Sequence, residues 1–376
     1  MKIGLFCPYS MAHRGGVQEF VRDMYQELKR RGHEVKIITP QPKDIVSIDT
    51  TDIIFVGSAS DFRSPLGTTS AVSASIDNEA IEQLLESEKF DVLHFHEPWV
   101  PFLSRQVLSR SSTVNIGTFH AKVPENIVSR SVVKVVTPYT KSVLKYLDEL
   151  TATGPPALEY ISSLTDRPVS VIPLLVDLDR FKRPAKRSSA AGNTILYVGR
   201  LERRKGVRYL LRAYQLLQQE VDDLSLLIAG DGPEREMLEE MVVDLGLHNV
   251  SFLGYISDEE KVKLLRTSDL FCAPSIYGEG FGIVLLEAMA MGIVAVAGDN
   301  SGYAAALQEM GAISLVNSRD SKDFARRLKL LLTEPALRNV WQDWAAEYVQ
   351  QFGRDQVMDQ FEELYEQALE NHRSKQ

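Results

Sequence analysis

The sequence predicts an α/β protein of two domains, each a parallel sheet covered by helices. Three observations carry that reading. Short apolar runs alternate with amphipathic helical patterns along most of the chain, which is the signature of repeated βαβ units. The alternation breaks at 182–193 (KRPAKRSSAAGN), a basic, turn-rich stretch without apolar period that reads as the edge of an interdomain linker. A length of 376 residues suits two domains of ordinary size.

In the first half, Ile3–Cys7 is a strand. Val17, Phe20, Val21, Met24 and Leu28 then fall on one helical face, and Gly32 ends that helix. Val35–Thr39 is the next strand, followed by strands at Ile53–Val56, Val92–Phe95, Val114–Thr118, Val132–Val136 and Val169–Pro173. An acidic helix is expected over Asp77–Lys89. The second series has strands at 195–199 (ILYVG), 225–230 (SLLIAG), 250–254 (VSFLG), 270–275 (LFCAPS) and 293–298 (IVAVAG), with helical patterns between them. From Asp323 onward the chain reads as helical and free of strands. Trp341, Trp344 and Tyr348 mark one apolar face, and Val357, Phe361, Tyr365 and Leu369 another, with Gly353 between them.

The chain is 44% hydrophobic and 25% charged, enough apolar content for sizeable cores. A net charge of −9 argues against nucleic-acid binding. Its two cysteines, Cys7 and Cys272, each sit in an apolar run, so core thiols, a reducing compartment and a cytoplasmic location are expected. The opening MKIGLFCPYS is too short an apolar run for a signal peptide. The longest apolar stretch, Phe281–Ala297, contains Glu287 and two glycines, and reads as a buried helix and strand rather than a membrane span.

Several motifs fall at the ends of predicted strands, where α/β sheets bind ligands. In 274–292 (PSIYGEGFGIVLLEAMAMG), Glu279 lies in a glycine-rich turn and Glu287 inside the helix that follows, expected to open at about Phe281. Gly278, Gly280 and Gly282 let the backbone approach a ligand. Helix N-terminal amides attract an anion and carboxylates accept hydroxyl protons, so the segment suits a phosphorylated sugar. In 197–207 (YVGRLERRKGV), Arg200 and Lys205 suit a diphosphate, while Glu202, Arg203 and Arg204 read as a solvated charge run. In 228–234 (IAGDGPE), Arg235 stands where a third glycine would complete a nucleotide fingerprint, and a plain turn with Pro233 opening a helix suffices. The loop 10–20 (SMAHRGGVQEF) places Gly15 and Gly16 before a helix, where amides can meet a phosphate or sugar. It lacks the dinucleotide pattern, which disfavours an NAD oxidoreductase. In 93–98 (LHFHEP), His94 and His96 share one strand face beside Glu97. No further His or Cys cluster completes a metal shell, so an orienting or core pair is the favoured reading and no protein metal site is expected. His120 in 117–121 (GTFHA) ends a strand, a position for a ligand-facing residue.

Taken together, KIGLFCPYSMAHRGGVQ, LHFHEPWVP, TFHA, the GR…KG and GDG elements and GEGFGIVLLEAMA resemble family 4 retaining glycosyltransferases of the GT-B type, in particular bacterial phosphatidylinositol mannosyltransferases. The resemblance implies two Rossmann-like domains facing across a cleft. The first is an acceptor domain over 1–176, joined by a returning helix at 354–372, and the second a nucleotide-sugar domain over 177–353. It implies that Gly16 offers its amide to the donor phosphate, and that His120 lies near the transferred sugar with a catalytic role. Arg200 and Lys205 then bind the diphosphate, and Glu279 with the amides of Phe281, Gly282 and Ile283 holds the sugar and phosphates. Glu287 takes the ribose hydroxyls, and Lys261 falls near the base, which slightly favours a GDP-sugar over a UDP-sugar. The implied reaction moves a mannose- or glucose-type hexose to an acceptor hydroxyl on a glycan, lipid or small molecule, with Mg2+ at most accompanying the donor diphosphate. A 2-epimerase of nucleotide sugars, or an inactive nucleotide-sugar-binding protein, are the alternatives.

Three features depart from the family. PLLVD (173–177) replaces the Pro-Asn-Gly-Val-Asp turn, the segment after His120 is short, and the 77–89 helix is acidic where lipid-modifying relatives are basic. Strong membrane docking is therefore not expected.

Overall fold

A strand buried on both faces reads as a near-continuous apolar run, as Leu270–Ala273 and Val294–Gly298 do, while Val92–His96 is fully buried yet carries two histidines. The computed structural model describes residues 1–12, 15–42, 49–63, 69–74, 78–120, 137–183 and 193–374. It divides into two compact units, Met1–Leu175 with Arg354–Gln376, and Val176–Gly353.

The first unit is built on an eight-stranded sheet of β1 (Lys2–Phe6), β2 (Glu34–Gln41), β3 (Ile53–Arg63), β4 (Thr69–Ala74), β5 (Val92–His96), β6 (Val114–Phe119), β7 (Glu149–Ala152) and β8 (Ser170–Val171). Their order is β4-β3-β2-β1-β5-β6-β7-β8. All neighbours are parallel except β3 and β4. The connecting helices are α1 (Gly16–Arg30), α2 (Asn78–Glu88), α3 (Leu103–Leu108), α4 (137–144) and α5 (Pro155–Ser162). Phe6, Leu93, Phe95 and Phe119 sit in its core with Val107, Val143 and Ile161. The chain leaves β1 toward β2 and later returns to its other side at β5. The strand order therefore reverses between β1 and β5, and the loops after these strands border the switch point where open α/β sheets hold ligands.

The second unit repeats the plan with β9 (Asn193–Val198), β10 (Leu224–Ala229), β11 (Val250–Gly254), β12 (Leu270–Ala273), β13 (Val294–Gly298) and β14 (Leu315–Val316). All six are parallel, in the order β11-β10-β9-β12-β13-β14. Its helices are α6 (Val207–Leu217), α7 (Arg235–Asp244), α8 (Asp258–Thr267), α9 (Ile283–Ala290), α10 (Ser301–Ala306), α11 (Ser321–Thr333) and α12 (Pro335–Tyr348). Here the order reverses between β9 and β12, so the loops 199–206 and 274–282 border that switch point.

The last helix, α13 (Arg354–Arg373), belongs to the first unit. It buries Val357, Phe361, Leu364 and Tyr365. Ion pairs fix it to the end of α1: Arg30 to Asp355 at 2.7 Å, and Arg31 to Asp359 at 2.6 Å and Glu362 at 2.5 Å. His33 adds a hydrogen bond to Glu362 at 2.6 Å.

The structure corrects several expectations. Strands β4, β7 and β14 are additional, and β8 shrinks to two residues. α9 opens at Ile283, two residues past the expected start, because Gly282 precedes it at φ 100°, a left-handed conformation no helix residue adopts. α7 starts at Arg235, so Pro233 lies in the turn before it. The basic stretch from Lys182 falls past the division at Leu175/Val176, and its residues 184–192 lie outside the described residues, as do the expected strand at 132–136, the short segment after His120 and Asp77. Among the described residues, no helix is long and apolar enough to cross a membrane.

Candidate functional site

The loops at the second unit's switch point gather charge around Glu279. Its Oε1 accepts hydrogen bonds from Lys205 Nζ at 2.8 Å and Arg204 Nη1 at 3.0 Å. Arg204 also donates to the Gly278 carbonyl at 3.2 Å and to Glu202 at 3.0 Å. Arg200 reaches the other oxygen of Glu202 at 3.0 Å but is 61% exposed. Three cations against two carboxylates leave this network one net positive charge, and the first-turn amides of α9 open beside it. Gly302 lets α10 sit against this turn, since a Cβ there would lie 2.2 Å from the Glu279 carbonyl oxygen. Tyr303 on α10 hydrogen-bonds Ser275 at 3.1 Å, and Asn300 donates to the Ser275 carbonyl at 2.9 Å, which anchors the end of β12.

One turn into α9, Glu287 pairs with Lys261 of α8 at 2.6 Å. Burial pushes the Glu287 carboxyl above its ordinary pKa, against the opposing pull of Lys261. The Lys261 ammonium lies 5.1 Å from the centre of the Phe181 ring. Phe281 is buried against Phe352, with ring centres 5.5 Å apart, which fixes the backbone just ahead of Gly282 and Ile283.

In the first unit, Gly16 is the first residue of α1, and Gly15 before it supplies no side-chain cap. One turn on, Phe20 meets the His120 ring edge-on at 5.2 Å, so α1 and His120 are neighbours. His120 follows β6 directly and is buried, as are His94 and His96 on β5. His94 is hydrogen-bonded to the Tyr365 hydroxyl at 2.7 Å and to Thr118 Oγ1 at 2.6 Å. It stacks on His96 at 4.4 Å, and His96 Nδ1 lies 3.0 Å from His120 Nε2. Glu97 accepts the His120 backbone N–H at 3.0 Å and the Trp99 indole N–H, so its carboxylate serves the loop. Among the described residues, no group of three or more His, Cys, Asp or Glu is placed to hold a metal ion.

Comparison with known proteins gives these loops a context. Residues 14–180 match the model described as Glycosyltransferase Family 4, and residues 179–348 match Glycosyl transferases group 1. The phosphatidyl-myo-inositol mannosyltransferase of Mycolicibacterium smegmatis is 31% identical, over 97% of this chain and 94% of its own. That of Mycobacterium leprae is 30% identical, over 97% and 96%. The chain belongs to the family 4 GT-B glycosyltransferases. Solved structures share the glycosyltransferase fold: sucrose-phosphate synthase from Thermosynechococcus elongatus has a TM-score of 0.76 at 22% identity, over 97% of this chain and 98% of that one. Anabaena HepE in complex with UDP and glucose has a TM-score of 0.76 at 17% identity, over 98% and 100%.

In this glycosyltransferase the structure brings Lys205 and Glu279 together, links Arg200 to them through Glu202 and Arg204, and sets Lys261 on Glu287. Gly16 and His120 belong to the other unit. Arg204 and Glu202 correct the sequence reading. They are largely buried in the ion-pair network, not part of a solvated run. Only their position directly after a buried strand could have signalled this.

Proposed function

We propose that this glycosyltransferase moves a hexose from a nucleoside diphosphate sugar to an acceptor hydroxyl, with retention at the anomeric carbon. The observation that carries the reading is the Glu279 network, where three cations and a helix N-terminus converge at a sheet switch point. A diphosphate would take Lys205, Arg204 and the amides of Gly282 and Ile283. Release of the two cations to the phosphates leaves Glu279 as an acceptor for sugar hydroxyls. Glu287, already charge-matched by Lys261, suits ribose hydroxyls, with Lys261 beside the base. His120 and the Gly16 amide contribute from the first unit. The enzyme's share is positioning and stabilisation of charge on the departing diphosphate, whose oxygen helps deprotonate the acceptor. No step is assigned to Mg2+, since no carboxylate cluster among the described residues would hold it; an ion paired with the diphosphate would arrive with the donor.

Mannose is favoured because the named relatives are mannosyltransferases, and a GDP-sugar because of Lys261. HepE was solved with UDP and glucose, which keeps a UDP-sugar as the second reading. A thermal-shift screen of UDP, GDP, ADP and their sugars, followed by donor hydrolysis, tests the proposal. Stabilisation by one nucleotide is expected, with hydrolysis of its sugar derivative to free sugar and the nucleoside diphosphate. An isomerised sugar nucleotide would mark an epimerase, and binding without turnover an inactive binder.

A further inference from the structure

The histidine cluster of the first unit determines which proton His120 carries, and the consequence rests on the reading that His120 meets the sugar. His96 lies opposite Thr118 in the β5–β6 register, and its Nδ1 faces His120 Nε2 at 3.0 Å. Both rings are buried, and burial holds both well toward the uncharged form. Each ring then has one N–H, and only one of the two facing nitrogens bears it.

The other nitrogen of His96 decides which. Its Nε2 is buried without a hydrogen-bond partner among the described residues. The His96 ring as a whole is packed between the stacked His94 ring, centres 4.4 Å apart, and the near-perpendicular Phe20 ring at 5.6 Å. Buried N–H groups left without an acceptor are rarer than buried acceptors left without a donor. A bare lone pair at Nε2 is therefore the less costly arrangement, and the His96 proton sits on Nδ1, donated to His120 Nε2. His120 then carries its own proton on Nδ1.

We infer that His96 is a positioning residue that fixes His120 as the Nδ1-protonated tautomer, so that His120 offers the substrate a neutral N–H donor and not a base. The surroundings hold this geometry. Glu97 accepts the His120 backbone N–H, Phe20 packs edge-on against the His120 ring, and Tyr365 and Thr118 clamp His94 beside His96.

The test is long-range proton–nitrogen correlation NMR on histidine-labelled full-length protein at pH 7, with assignments from His96→Asn and His120→Gln. The expected spectrum has His120 protonated at Nδ1 with a bare Nε2, and His96 protonated at Nδ1. The opposite pattern, with the His96 proton on Nε2, overturns the inference. Donor hydrolysis supplies the second readout. His96→Leu, which removes the donor to His120, should lower kcat about tenfold with donor KM little changed. His96→Asn, whose amide can replace the Nδ1 donor, should recover most of that loss. An unchanged His120 tautomer in His96→Leu also overturns the positioning role. If the wild-type tautomers are as expected but His120→Gln hydrolyses donor at the wild-type rate, the sugar-facing role of His120 fails instead.

Discussion

At the residue scale, the three cations near Glu279 are not equivalent. Lys205 and Arg204 are shielded and hydrogen-bonded to the carboxylate, whereas Arg200 is mostly solvated and pairs with Glu202 instead. Charged hydrogen bonds in a shielded site contribute roughly 1.5–3 kcal/mol each. Lys205→Ala should therefore weaken nucleoside diphosphate binding about 10- to 100-fold. Arg200→Ala should cost less than about 1 kcal/mol, as exposed charges do. Calorimetry on both variants decides, and a larger loss from Arg200→Ala would move the phosphates to the rim of the loop. The buried imidazoles lead to a second expectation. Burial lowers the pKa of His94 and His120 from 6.5 to about 3, with the charge of His120 adding to the effect on His94, and it lowers His96 as well. A group whose pKa falls on folding stabilises the native state fully above its unfolded value and loses that contribution as the pH drops toward the folded value. Below about pH 6, stability should fall by about 1.4 kcal/mol per pH unit for each such ring. Urea unfolding at several pH values should show a shallower slope for His94→Gln than for the wild type. Identical slopes would mean that His94 is protonated in the native state.

At the element scale, most of the fold was legible in the sequence because buried parallel strands are continuous apolar runs. β12 and β13 are of that kind, β1, β5 and β6 are largely so, and each was found within a residue or two of its ends. β4 (TSAVSA) escaped because it pairs antiparallel at the sheet edge with mostly small and hydroxyl side chains. β7 and β14 escaped because four and two residues are too few for a period. The site loops were legible by motif, since glycines, carboxylates and cations sit directly after strands. The partnership of Arg204 with Glu279 was not, because 75 residues separate them and only the parallel pairing of β9 with β12 brings their loops together. The acidic helix was found, and two of its glutamates are ion-paired. Glu88 is held by Lys2 at 2.9 Å and Lys36 at 2.7 Å, and Glu82 by Arg110 at 3.1 Å. α2 nevertheless carries four glutamates and no basic residue, so the attraction of about 1 kcal/mol per Lys or Arg near an anionic surface is missing there. Little co-sedimentation with vesicles containing phosphatidylinositol is expected at physiological salt. Strong binding would show that another surface docks on lipid, and would make a lipid acceptor the leading candidate.

At the scale of the whole molecule, the two units differ in how the chain completes them. The second is continuous from Val176 to Gly353, whereas the first is closed only when Arg354–Gln376 is added. α13 gives that unit fully buried Val357, Met358, Phe361 and Tyr365, the Tyr365 hydroxyl bonded to His94, and the carboxylates that neutralise Arg30 and Arg31. A chain ending at Gly353 would leave an apolar groove over Phe20 and His94 and two arginines without those partners. Burying one large apolar side chain contributes roughly 1.5–3 kcal/mol, so losing four costs about 6–12 kcal/mol, comparable to the roughly 5–15 kcal/mol margin of a typical domain. The Glu279 network, proposed above to bind the nucleotide, lies wholly within the second unit, to which α13 does not belong. Truncation at Gly353 should therefore abolish donor hydrolysis and make the first unit protease-sensitive, while nucleoside diphosphate affinity falls no more than a few-fold. Limited proteolysis with mass spectrometry locates the unfolded unit, and calorimetry with the nucleotide measures the affinity. If truncation removes nucleotide binding as completely as hydrolysis, the second unit does not fold without the first, and the nucleotide site cannot be assigned to the second unit's network alone.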